Sequence, residues 1–110
     1  MARLAWDRTD SEDAVMGAIG RLRDAGLPKR LFTVYVLIGH GDNPDDALYR
    51  LRRLWGDGYK PFPMRYQPLD TLEKSAYVAP NWTHRELQRY MRYWSNLMYV
   101  GSVPFEEFVQ

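Results

Sequence analysis

A chain of 110 residues, 45% hydrophobic and 15% aromatic, is sized for one small globular domain, and its large rings supply buried area that a short chain otherwise lacks. A net charge of +1 gives no bulk attraction to nucleic acid or anionic lipid, and the absence of cysteine excludes disulfides, zinc–thiolate sites and iron–sulfur ligation by this chain alone. No run of about 18 apolar residues exists to span a membrane, and residues 1–7 do not read as a signal peptide, so the cytoplasm is the expected compartment.

Arg3-Leu4-Ala5-Trp6 reads as a short strand ending at Asp7. Asp10 or Ser11 then caps a first helix, with Glu12 and Asp13 in its first turn, where carboxylates suit the helix dipole. Ala14, Val15, Ala18, Ile19, Leu22 and Ala25 recur at three and four and make one apolar face. Gly17 and Gly20 weaken this helix, or allow it close approach to a sheet, and Gly26 followed by Pro28 stops it.

Residues 31–38, Leu-Phe-Thr-Val-Tyr-Val-Leu-Ile, are nearly continuous in β-branched, aromatic and aliphatic side chains, the pattern of a strand buried on both faces. A Gly-rich corner follows, then a second helix with Asn43 as cap and Pro44 at its first position. Leu48, Leu51, Leu54 and Trp55 are its expected buried stripe, and Arg50, Arg52 and Arg53 fall in its later turns, where cations suit the dipole. Gly56-Asp57-Gly58 ends it. Residues 60–66, Lys-Pro-Phe-Pro-Met-Arg-Tyr, are a weaker strand. Two strands joined by a helix imply a right-handed parallel crossover, which places ligand sites at the carboxyl ends of the strands, here residues 39–43 and 66–70.

Residues 67–82 read as a long irregular loop, with a short helical turn near Leu72. Thr83-His84-Arg85-Glu86 is a capping box that opens a C-terminal helical extension over 83–110. Trp82 before it suits a hydrophobic staple against Leu87. Leu87, Tyr90, Met91, Trp94 and Met98 fall on the packing side of that helix, and Arg85, Arg89 and Arg92 on the other. The whole of 1–110 is a single α/β domain in the order β-α-β-α-β-loop-α.

Three segments in this order resemble the C-terminal half of radical S-adenosylmethionine proteins of phage and bacterial type. They are Tyr35-Val36-Leu37-Ile38-Gly39, Pro44-Asp45-Asp46-Ala47-Leu48-Tyr49-Arg50 and Pro61-Phe62-Pro63-Met64-Arg65-Tyr66. Arg92-Tyr93-Trp94-Ser95-Asn96 and the tail from Gly101 to Phe108 extend the resemblance, and Arg3-Leu4-Ala5-Trp6-Asp7 resembles the preceding strand. The resemblance implies parallel βα units forming half of a partial TIM barrel. It implies S-adenosylmethionine as cofactor, with a four-iron four-sulfur cluster held by a cysteine-bearing N-terminal half or neighbouring subunit, because the family's C-x-x-x-C-x-x-C and Gly-Gly-Glu segments are not in this sequence. The chain then looks like a truncated or split gene product that is inactive alone, with no catalytic and no metal-binding residue of its own.

Carried over position by position, the resemblance implies cofactor contacts at Asp7 (ribose), Tyr35, Leu37, Gly39 and Asp42 (the strand segment near adenine), and Met64 to Tyr66 (adenine). The residues themselves leave other readings open. Gly39 and Gly41 make a ligand approach or merely a tight corner, Asp42 and Asn43 are helix caps or ligand contacts, and His40 stacks on an adenine, acts as a base or stands idle in a loop. The alternative to an enzyme half is a small α/β binding or adaptor module using the basic, aromatic C-terminal helix, or a degenerate remnant. An unpaired sheet edge favours self-association.

Overall fold

The computed structural model describes residues 2–68 and 77–108. The helical turn expected near Leu72 lies outside them. The strands are β1 (Ala2–Ala5), β2 (Phe32–Ile38) and β3 (Lys60–Arg65), and the helices are α1 (Glu12–Asp24), α2 (Pro44–Gly56), α3 (His84–Trp94) and α4 (Leu97–Ser102). Both strand pairs are parallel, in the order β1-β2-β3, with Leu4 beside Val34 and Val36 beside Pro63. The fold is therefore an open α/β sheet with alternating helices; the described strands do not close into a barrel.

Helix ends follow the sequence signals. Asn43 Oδ1 accepts the Asp46 N–H at 2.9 Å, and Pro44 opens α2. Thr83 and Glu86 exchange both arms of the capping box at 2.9 and 3.1 Å. At the C-terminus of α1, Leu27 N–H reaches Leu22 C=O and Gly26 N–H reaches Arg23 C=O, a Schellman closure that α2 repeats through Tyr59 and Gly58. Ser11 precedes α1 without a side-chain cap, and Asp10 pairs with Arg8 instead.

Several helix faces differ from expectation. Trp55 is 37% exposed, while Arg50 is fully buried between Ala47 and Leu51 on the core side of α2. Arg50 finds polar partners there, and Trp55 faces water at the last turn. Met98 is 80% exposed because α3 stops at Trp94 and the chain restarts in α4, which breaks the periodicity that would have carried it inward. In α1, Val15 and Ile19 are buried, whereas Ala14 and Ala25 are exposed. Gly20 does not mark a close approach, since a Cβ there would meet nothing within 4 Å. Gly20→Ala is accordingly expected to stabilise the fold by about 0.5–1 kcal/mol through restored helix propensity. Gly39→Ala is expected to destabilise it by about 1–2 kcal/mol, because Gly39 has φ +79° and its new Cβ would lie 3.0 Å from Leu87 Cδ2. Urea midpoints for the two variants should move in opposite directions.

Strand β2 is not buried on both faces. Phe32, Val34, Val36 and Ile38 are buried, as are Pro61 and Pro63 in register beside them, under α2 and α3. The alternate set, Thr33, Tyr35 and Leu37, is only half-buried. Its neighbours Phe62 and Met64 are 47% and 49% exposed. Sequential parallel strands with right-handed crossovers put their helices on one side of the sheet. Among the described residues the other side, Ala5, Tyr35, Leu37, Phe62 and Met64, is left largely open. Tyr35 and Phe62 meet there edge-on, 5.7 Å between centroids.

The two sheet edges differ. Tyr66 N–H donates to Ile38 C=O at 2.9 Å, so by strand alternation the N–H groups of 62 and 64 also face β2. Positions 61 and 63 face outward, and both are proline, with no N–H to offer. On β1, Trp6 N–H donates to Tyr35 C=O at 2.7 Å, which turns the intact N–H groups of Arg3 and Ala5 outward. The unpaired edge expected from the sequence is thus blunted at β3 and complete at β1.

Candidate functional site

The carboxyl ends of β1 and β2 are held by one buried cluster. Gly39 and Gly41 adopt φ of +79° and +69°, which folds the corner back so that Asp42 faces the amides it has just passed. Its Oδ1 accepts the N–H groups of Gly39 and His40, each at 3.1 Å, and Trp82 Nε1–H at 2.9 Å. Its Oδ2 accepts from Arg50 Nη2 at 2.6 Å. Arg50 Nη1 donates to Trp6 C=O at 3.0 Å and Leu37 C=O at 2.8 Å, where β1 and β2 part and their carbonyls lose ladder partners. Burial pushes the Arg50 guanidinium below its usual pKa, and the adjoining Asp42 carboxylate pulls the other way.

This arrangement decides what the Gly-rich corner can do. Its two best-placed amides are already filled by the chain's own carboxylate, and Asp42 is 8% exposed. Asn43 is the helix cap, while Asp42 ties the corner together.

Outside this cluster, Asp7, Thr9, His40 and Asp46 line a hollow of about 200 Å³ above it. Asp7 is exposed there. His40 stacks on Tyr66, 4.1 Å between centroids at 25°, and Tyr77 meets Tyr66 edge-on at 5.5 Å. Arg65 donates to Tyr77 C=O at 2.9 Å and lies 3.1 Å from His84 Nδ1; burial lowers its pKa. The rings of His40 and Tyr66 thus cover each other.

A larger groove, about 570 Å³, lies between β3 and α3. Phe62, Met64 and Arg65 form one wall, and Gln88, Met91 and Arg92, spaced three and four apart on α3, form the other. The arginine stripe of α3 is divided in function. Arg85 and Arg92 are exposed, but Arg89 donates to the C=O groups of Phe105 and Phe108 and lies 4.1 Å above the Phe105 ring, pinning the C-terminal tail.

The residues singled out for cofactor contact therefore fall in separate places. Asp7 and Asp42 line the hollow, with Gly39 bonded beneath it and Tyr66 beside it. Tyr35 and Leu37 lie on the open sheet face, and Met64 borders the groove. Sequence reasoning missed Arg50 and Trp82 as the core of the cluster and Phe62 as part of the exposed wall. Arg50 carried a signal, since it shares the 47, 50, 51, 54 spacing of the buried face. Trp82 carried none beyond its place before the capping box.

No family model, curated protein or solved structure matches the chain. Among the described residues no group of three or more His, Cys, Asp or Glu comes together as a metal site, and no helix is long and apolar enough to cross a membrane.

Proposed function

We propose that the chain is a binding module that docks a partner through the open face of its sheet and the adjoining α3 surface. One observation carries this reading: among the described residues the helices cover a single side of a three-stranded parallel sheet, leaving Tyr35, Leu37, Phe62 and Met64 partly exposed on the other. An apolar patch of this kind on a small domain marks a contact surface. The strand-end cluster supports the same reading, because Asp42, Arg50 and Trp82 already satisfy one another's polar groups. The test is a double substitution, Tyr35→Glu with Leu37→Glu, on the open face and away from the groove. Thermal unfolding should change little, by about 1 kcal/mol or less. A partner cross-linked to the wild-type chain in its native cells should be lost from the variant. Equal recovery by a folded variant would rule the face out.

A second reading follows from the same topology. Sequential parallel strands with helices on one side are the local architecture of a barrel wall, which supports ancestry in half of a partial TIM barrel of the radical S-adenosylmethionine type. This chain's residues do not fit the cluster, having no thiolate to bind iron. Asp42, bonded to Arg50 and Trp82, is poorly placed for a nucleoside. Any such chemistry would belong to a cysteine-bearing partner. Anaerobic co-expression with such a neighbour would give a brown complex and 5′-deoxyadenosine if this reading holds, and neither if it fails.

A further inference from the structure

We propose that the groove between β3 and α3 seats an acidic amphipathic helix of a partner protein. The inference rests on the docking reading above and names the chemistry of what docks. Three observations select the occupant. First, among the described residues the groove carries two cations, Arg65 and Arg92, and no carboxylate, although the whole chain is nearly neutral. Arg92 is exposed and forms no ion pair among the described residues. Acidic groups flanking an apolar stripe complement this wall, while Phe62, Met64 and Met91 supply apolar floor and adaptable thioethers.

Second, an extended peptide is a poor fit. Strand addition needs main-chain donors along the edge, and the outward positions 61 and 63 of β3 are both proline. The occupant must bind through side chains, as a helix in a groove does. Third, a small ligand is a poor fit. Phe62 and Met64 remain about half exposed, so the groove is open along one side, whereas small-molecule sites enclose most of their ligand. A helix can cover the groove and continue onto the open sheet face, burying both.

The experiment uses the full chain and two fluorescein-labelled designed helices of about 18 residues. They share one Leu/Phe stripe and differ only in flanking residues, all Glu or all Lys. The glutamate helix should bind about tenfold or more tightly than the lysine helix by fluorescence anisotropy. Arg92→Glu should abolish or reverse that preference, and Phe62→Asp should weaken both helices, with circular dichroism confirming that each variant is folded. Equal affinity for the two helices would overturn the proposal, as would a preference that survives Arg92→Glu or failure of both helices to bind. Two alternative occupants would overturn it as well. One is decanoate binding with the same Arg92 dependence while the helices do not bind. The other is self-association of the chain, in sedimentation equilibrium, that Phe62→Asp abolishes. None of these failures touches Tyr35 and Leu37, so the docking reading stands or falls on its own cross-linking result.

Discussion

Asp42→Ala is expected to destabilise the fold by about 3–5 kcal/mol, a large share of what a small domain possesses. The substitution removes the acceptor of four hydrogen bonds, two from backbone amides, one from an indole and one from a guanidinium. It also leaves Arg50, which is fully buried, charged beside a methyl group. The second effect dominates, because a buried charge without its partner costs far more than a lost neutral hydrogen bond. Asp42→Asn keeps a carbonyl oxygen for the amides and the indole but loses the charge, so it should fall between wild type and Asp42→Ala. Adding Arg50→Met to Asp42→Ala should recover part of the loss, since the orphaned cation goes with it. The measurement is a double-mutant cycle by urea unfolding. Additive losses from Asp42→Ala and Arg50→Met would show that the pair is not coupled.

Trp6→Ala is the second large effect, about 3–5 kcal/mol. Trp6 is completely buried at the end of β1, its ring edge-on to Tyr49 at 6.3 Å. Its backbone donates to Tyr35 and accepts from Arg50, so a collapse around the cavity would disturb the strand-end cluster as well. Trp6→Phe should cost much less, about 1 kcal/mol. The indole Nε1–H of Trp6 is buried with no partner among the described residues, so phenylalanine loses volume but also removes an unsatisfied donor. Trp82 provides the control. Its Nε1–H donates to a charged carboxylate, and Trp82→Phe should cost about 1.5–3 kcal/mol by losing that bond. Circular dichroism during urea unfolding would rank the variants. Equal losses for Trp6→Phe and Trp82→Phe would contradict the difference in their hydrogen bonding.

The backbone plan was legible because it rests on local signals. The β-branched, aromatic and aliphatic run over 32–38, Pro44 after Asn43, the paired Gly56 and Gly58, and the Thr83–Glu86 box each act within a few residues, and each forms or ends its element in the structure as its chemistry suggests. The site was less legible because it depends on distant partners. The 47, 50, 51, 54 spacing puts Arg50 on the buried face, but nothing local supplies the partners it needs there, and an arginine without them belongs in water. It turns inward because two strand ends leave carbonyls unpaired and a corner eight residues back supplies a carboxylate. The open sheet face was hidden for a different reason. Tyr35 and Leu37 are apolar enough to pass for core, and whether a second layer covers them is not written in their own segment.

The prolines at 61 and 63 also limit what kind of assembly the sheet can enter. Endless stacking of copies requires every molecule to be receptive on both flanks, so that each newcomer offers a fresh template to the next. Here one rail lacks the donors of positions 61 and 63, and the other keeps those of Arg3 and Ala5. A neighbour joined along the receptive rail ends the growth there, which makes a closed pair the natural limit and a fibril an improbable one.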